Sequence, residues 1–246
     1  MFKNMNCPVC LGVIEANTQR CPQCNYSPAN KVFKDTLEET QWMQKVIIPC
    51  RNKYLEQLEA KLKQLELSTS ETDALLRSEI QEYLTFIKEE TLIENITKIE
   101  FTEDFGYPRC RNEHIYTLKF DNEELVATYT HKYSQSSTVI EEYGIYETAG
   151  ILSKNFLRKI ICEEKIYQLN TQEDETEWHD APSWRLKTSL KYITTVAFTI
   201  DAFGWLDSKM LPKLFNTSLG IFFTKKPSEI KIKNNDWKIT NEGEHK

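Results

Sequence analysis

The sequence predicts a multi-domain chain: a small four-cysteine module over residues 1–28, a helical hairpin over 29–95, and an α+β domain with a mainly antiparallel sheet over 96–246. Three observations predict this. Two C-x-x-C pairs stand near the N-terminus, aliphatic residues then recur at three- and four-residue spacing as far as Ile87, and from Ile96 β-branched and aromatic residues alternate with polar ones. The length of 246 residues accommodates two or three units at about 100–200 residues per domain. With 40% apolar and 28% charged residues, seven glycines and no low-complexity tract, the composition is that of a folded protein.

The first module rests on Cys7-Pro8-Val9-Cys10 and Cys21-Pro22-Gln23-Cys24. Each C-x-x-C puts two sulfurs on one tight turn, and the segment between them is long enough to bring the second pair onto the opposite edge of a tetrahedron. Cys7, Cys10, Cys21 and Cys24 are therefore the expected ligands of one Zn2+. Four thiolates leave no open position for water, which makes the expected metal structural rather than catalytic. So short a segment cannot bury a core of its own, so its folding energy is the metal's binding energy. A redox reading of the C-x-x-C pairs would require a βαβ setting that the flanking sequence lacks.

With both prolines and the polar turn Glu15-Ala16-Asn17-Thr18, the segment resembles the short zinc ribbons at the termini of many prokaryotic proteins, in which two CPxC knuckles share one ion. That family usually carries glycine directly after each second cysteine. Here Leu11 and Asn25 stand there, with Gly12 one place later. Asn tolerates the left-handed backbone that glycine supplies and Leu does not readily do so, so an irregular first knuckle is expected.

Within residues 1–30 only Lys3 and Arg20 stand against Glu15, too little charge to neutralise several phosphates, and a protein partner is expected ahead of nucleic acid. The formal net charge of −6 likewise argues against a surface coated in basic groups. Cys50, Cys110 and Cys162 are scattered and odd in number, unlike a disulfide framework. The uncharged, apolar-leaning run Tyr192 to Ile200 is closed by Asp201 well short of the roughly 20 residues that span a bilayer. No transmembrane segment and no cleaved signal peptide are expected, and the expected location is cytoplasmic.

In the second module Phe33, Leu37, Met43, Val46 and Ile47 outline a helix that Pro49 is expected to kink or end. Leu55, Leu58, Leu62 and Leu65 then form one stripe, and Ser68-Thr69-Ser70 breaks it. Ser70-x-x-Asp73 has the form of a capping box, followed by Leu76, Ile80, Tyr83 and Ile87 on the next stripe. Two striped helices with a short polar link predict an antiparallel hairpin. The leucine stripe is shorter than the three or four heptads of a true coiled coil, so intramolecular packing is the first reading and self-association through the hairpin the second.

In the third module, strands are expected at Ile96 to Phe101, His114 to Phe120, Leu125 to His131 and Val139 to Tyr146, with a turn at Asp121-Asn122-Glu123-Glu124. Residues 148–169 suit a buried helix, with an extended Lys159 to Leu169 as the alternative, Thr171 to Asp180 reads as an acidic solvated loop, and Leu190 to Leu206 is a second apolar stretch. A terminal hairpin is expected around Asn234-Asn235.

Candidate chemistry in that module is sparse. Arg109-x4-His114 resembles in spacing the Arg-to-His element of HEPN-type ribonucleases, which implies an arginine and a histidine acting on a phosphodiester; HEPN domains are helical, whereas this element runs into a strand-like segment. Arg109 and His114 are the only catalytic candidates, and the ordinary reading is a loop Arg and a loop His. Cys110 with His114 lacks an orienting acid nearby. Glu163-Glu164-Lys165 reads first as a charged helix face, and Trp178-His179-Asp180 as a loop. No phosphate loop, H-E-x-x-H or G-x-S-x-G occurs. Lys209 to Lys238 interleaves seven lysines with Phe222, Phe223 and Trp237, a pattern shared by surfaces for single-stranded nucleic acid or lipid and by lysine-protected edge hairpins; the edge is the first reading.

Together these observations favour a zinc-ribbon adaptor or regulatory protein acting through macromolecular, mainly protein, contacts, with catalysis the minority reading. The alternative is a ribonuclease-type effector whose ribbon senses a partner. A weaker third reading is a β-rich domain that binds lipid or another ligand through the terminal lysines.

Overall fold

The computed structural model describes residues 5–15, 18–27, 32–105, 110–121, 124–148, 151–168, 182–191, 201–205, 217–224 and 226–236. They fall into two compact units, one holding the described residues up to Asn95 together with Lys191, the other holding the rest from Ile96 onward. The cysteine module and the helices share the first unit.

In that unit β1 (Met5–Asn6) pairs antiparallel with β2 (Val13–Ile14). Helix α1 (Thr36–Trp42) is capped by Asp35, whose carboxylate accepts the Glu38 N–H at 2.8 Å. Of the two outcomes expected at Pro49, a kink or an end, the helix does not end there. Residues Met43–Ile47 form a π-helical turn and α2 (Ile48–Glu66) continues directly from it. Proline has no N–H for the Lys45 carbonyl, and the wider turn ahead of it absorbs the misfit, with the Ile48 N–H reaching back five residues to Met43.

Helix α3 (Glu71–Asn95) begins where the sequence implied, but its start is held differently. Asp73 accepts from the Ser68 hydroxyl at 2.5 Å, while the Ser70 hydroxyl pairs with Thr72 at 2.6 Å. Leu55 packs with Ile80, Leu84 and Ile87, and the remaining leucines of the α2 stripe lie against them, so the stripes face each other as a helical hairpin.

The second unit is built on a seven-stranded antiparallel sheet in the order β8-β7-β3-β4-β5-β6-β9. Its strands are β3 (Ile96–Asp104), β4 (Asn112–Asp121), β5 (Glu124–Gln135), β6 (Thr138–Ile145), β7 (Ser183–Leu190), β8 (Asp201–Trp205) and β9 (Glu229–Asp236). Period-two burial is plain in β3, where Ile99 and Phe101 are fully buried and Glu100 and Thr102 are not. The helix expected over 148–169 is shorter: α4 (Ser153–Arg158) passes into a π turn at Lys159–Glu163 and a 3-10 turn at Ile166–Gln168.

Asn234 and Asn235 do not form a hairpin turn. They lie inside β9, opposite Ile140 and Val139 of β6, because eight residues of ladder pairing outweigh the local turn preference of two asparagines. Phe222 and Phe223 belong to the core, not to a lysine-lined surface. They lie on α5 (Ser218–Thr224), where Phe223 stacks on Phe101 at 4.5 Å and Phe222 meets Phe156 edge-on. The acidic stretch 171–180, the apolar run 192–200 and Trp237 lie outside the described residues.

Candidate functional site

The two knuckles repeat one backbone pattern. The Cys7 N–H donates to the Gly12 carbonyl and the Cys7 carbonyl accepts from Leu11, both at 2.8 Å; the Cys21 N–H donates to Tyr26 at 2.7 Å and the Cys21 carbonyl accepts from Asn25 at 2.9 Å. Leu11 and Asn25 occupy matching left-handed conformations, with φ of 61° and 59°. The expected irregularity at the first knuckle is therefore absent: the turn keeps its geometry and Leu11 bears the strain.

This pairing brings four sulfurs together. Cys7 and Cys24 stand 3.6 Å apart, Cys10 and Cys21 3.5 Å apart, and all four sulfurs lie within 4.8 Å of one another. The tetrahedron edge implied by a Zn–S bond of about 2.3 Å is roughly 3.8 Å, so the cluster could hold a metal ion such as zinc with small adjustments. Cys7, Cys10 and Cys21 are buried and Cys24 half-buried.

Burial pushes the Cys10 thiol up to about 11 and also raises Cys24. At Cys21 burial acts in the same direction, but backbone N–H groups of Cys24 and Gln23 outweigh it and lower the thiol. At Cys10 and Cys24 a bound cation would have to stabilise the thiolates against that burial, with protons released on binding.

The helices hold the knuckles from outside. Arg51, 1% exposed, donates from Nη2 to the Pro8 carbonyl at 2.6 Å and from Nη1 to Thr91 and Glu94. The Tyr83 hydroxyl lies 2.6 Å from the Cys10 carbonyl and 2.9 Å from Gln23 Oε1. Ile47, Trp42 and Met43 pack on Val9 and Ile14. Nothing in the spacing of Arg51 marks it in the sequence, and Tyr83 reads there as a member of the apolar stripe of its helix rather than as a contact to the knuckles.

In the second unit four titratable groups form one row. Glu103, His114, His131 and Glu142 are in direct register across β3, β4, β5 and β6. The two imidazoles stack at 4.2 Å, 10° from parallel. His114 Nδ1 meets the Tyr129 hydroxyl at 2.8 Å, and His131 lies 3.5 Å from Glu142 through Nδ1 and 3.1 Å from Asn112 Oδ1 through Nε2. Burial lowers His114, helped by the neighbouring His131 and opposed by Glu142, whereas burial raises Glu103 against a hydrogen bond from Tyr116. The row gathers two carboxylates and two imidazoles, and the imidazoles meet face to face rather than through a hydrogen bond. Period-two alternation places His114 with Tyr116, and Tyr129 with His131 and Tyr133, on one face, but the register that joins them is a tertiary fact.

His114 thus lies on a strand beside His131, and Arg109 is outside the described residues, as are Trp178, His179 and Asp180. Cys110 is exposed. Glu164 is not part of a charged helix face: its Oε1 accepts the Ser218 N–H at 2.8 Å at the start of α5. Lys231 and Lys233 lie on β9, the last strand of the sheet order.

No protein-family model, curated protein or solved structure matches this chain.

Proposed function

We propose that Cys7, Cys10, Cys21 and Cys24 hold one structural zinc ion and that the chain is a cytoplasmic adaptor or regulatory protein working through protein contacts. The observation that carries this reading is the closed set of four sulfurs, 3.5–3.6 Å apart in pairs, with no position left for a substrate. Arg51 and Tyr83 tie that module to the helical hairpin, so zinc serves to present a folded surface. Leu67 and Leu75, 90% and 63% exposed beside the hairpin turn, add apolar side chains to that surface. No described helix is long and apolar enough to cross a membrane.

A second reading, a nucleic-acid-cleaving effector, draws on one observation, the placement of His114 in the Glu-His-His-Glu row. The two readings separate in a cleavage assay on labelled single-stranded RNA and DNA, with His114→Ala alongside. The adaptor reading predicts no cleavage above background, and retention of a cross-linked protein partner that Cys7→Ser with Cys10→Ser releases. Cleavage abolished by His114→Ala in a folded variant would replace it with the effector.

A further inference from the structure

We propose that Gln23 and Tyr83 are positioning residues of the metal centre, with the Gln23 side-chain amide turned so that Nε2 donates one hydrogen to the Cys10 thiolate and the other to Tyr83. The inference rests on the zinc reading above and concerns how the ion is held.

The argument is one of hydrogen-bond supply. The Gln23 atom placed as Oε1 stands 2.9 Å from the Tyr83 hydroxyl and 3.5 Å from Cys10 Sγ. As an oxygen it needs donors from both. A metal-bound thiolate has no proton to give, and Tyr83 has a single hydroxyl hydrogen, with its oxygen already 2.6 Å from the Cys10 carbonyl oxygen. Exchanging the amide oxygen and nitrogen, which differ little in shape, resolves all three contacts at once. Tyr83 then donates to the Cys10 carbonyl and accepts from Gln23, and the thiolate receives the donor that its charge calls for.

Gly12 supports the placement of the Gln23 side chain, whichever way its amide is turned. A Cβ built there would lie 1.8 Å from this Gln23 atom and 2.8 Å from its Cδ, so the bare backbone at position 12 is the seat on which the amide rests. The glycine displaced by one place from the usual ribbon pattern is thereby accounted for by the side chain of the opposite knuckle. Because Tyr83 lies on α3, the network also joins the ion's ligand shell to the helical hairpin.

The test measures zinc affinity of the full chain by chelator competition, and the thiolate-to-metal charge-transfer band of the cobalt-substituted protein. Gln23→Met keeps the length of the side chain without a donor or a charge, and Gln23→Lys restores a donor. Gln23 is exposed, so neither change threatens the fold. Loss of an outer partner typically costs about 10–100-fold in metal affinity, and Gln23→Met is expected near the lower end with a shifted band. Gln23→Lys is expected to keep affinity within a few-fold of the parent, roughly the scatter of such comparisons. Equal affinity and an unshifted band in Gln23→Met would overturn the proposal while leaving the zinc site intact. A parent protein that binds no metal would instead remove the zinc reading, and this inference with it.

Discussion

Arg51 on α2 donates from Nη2 to the carbonyl of Pro8 in the first knuckle at 2.6 Å, across 43 residues of chain. Its other terminal nitrogen serves Thr91 and Glu94 on α3 at 2.9 and 3.0 Å, so one buried guanidinium ties a knuckle to both helices. Replacing it leaves the Pro8 carbonyl without its donor. The Glu94 side chain is 41% exposed, so the ion pair itself counts for little, and the expected loss for Arg51→Ala is about 2–3 kcal/mol, dominated by the orphaned buried groups. Denaturant unfolding followed by helical circular dichroism checks it. A loss below about 0.5 kcal/mol, the range of ordinary surface changes, would contradict the assignment.

Leu11 holds a left-handed backbone with φ of 61°, the conformation that glycine adopts freely. Leu11→Gly relieves about 1–2 kcal/mol of steric cost and forfeits part of it to the greater freedom of the unfolded chain and to lost packing. A net stabilisation of about 0.5–1 kcal/mol is expected, read as a higher melting temperature of the zinc-loaded protein. Asn25→Gly, at a residue that already tolerates this conformation, should gain less.

His114 carries a pH dependence of known sign. Its folded value is held below the ordinary 6.5, first by burial and then by His131, so its contribution to stability is full above 6.5 and is lost as pH falls through the folded value. Acidification below about pH 6.5 should therefore lower the melting point of the sheet unit, and His114→Phe, which keeps a ring in the stack, should flatten that response. Glu103 acts in the opposite direction. Its raised value means a contribution full below the ordinary 4.5 and lost as pH rises through the folded value, so Glu103→Gln should remove a loss on the alkaline side of that range. Identical pH profiles for the parent and His114→Phe would contradict the geometry of the row.

Phe223 is 5% exposed, stacks on Phe101 at 4.5 Å and meets Tyr116 at a tilt, 5.0 Å away. Phe223→Ala should cost about 3–5 kcal/mol, as large aromatic deletions in cores do, whereas Lys231→Ala and Lys233→Ala on β9 should each stay within about 0.5 kcal/mol. Urea unfolding of the three variants separates a core residue from a member of a basic surface.

These contrasts show what the sequence could and could not convey. The cysteine cluster was legible because ligand spacing is local, and the helical stripes because periods of three and four need no partner to be read. Strand positions in β3 to β6 followed from alternation for the same reason. Pairings were hidden: Asn234-Asn235 reads as a turn until β6 is known to lie alongside, and the lysine-rich stretch reads as surface until Phe223 is seen over Phe101. Arg51 and Gln23 were invisible as site residues because their roles come from elements 43 and 13 positions away. His114 stands out in the sequence for its spacing from Arg109, but its structural neighbours are His131 and Tyr129.

Native mass spectrometry of the purified, reduced-handled chain tests the central claim most directly, because one spectrum reports both bound metal and the oxidation state of the cysteines. The account predicts a single zinc per chain with all four ligand cysteines reduced, and loss of that mass in Cys7→Ser with Cys10→Ser. A folded, metal-free chain lighter by the hydrogens of two disulfides, joining Cys7 to Cys24 and Cys10 to Cys21 across the 3.6 and 3.5 Å pairs, would contradict it.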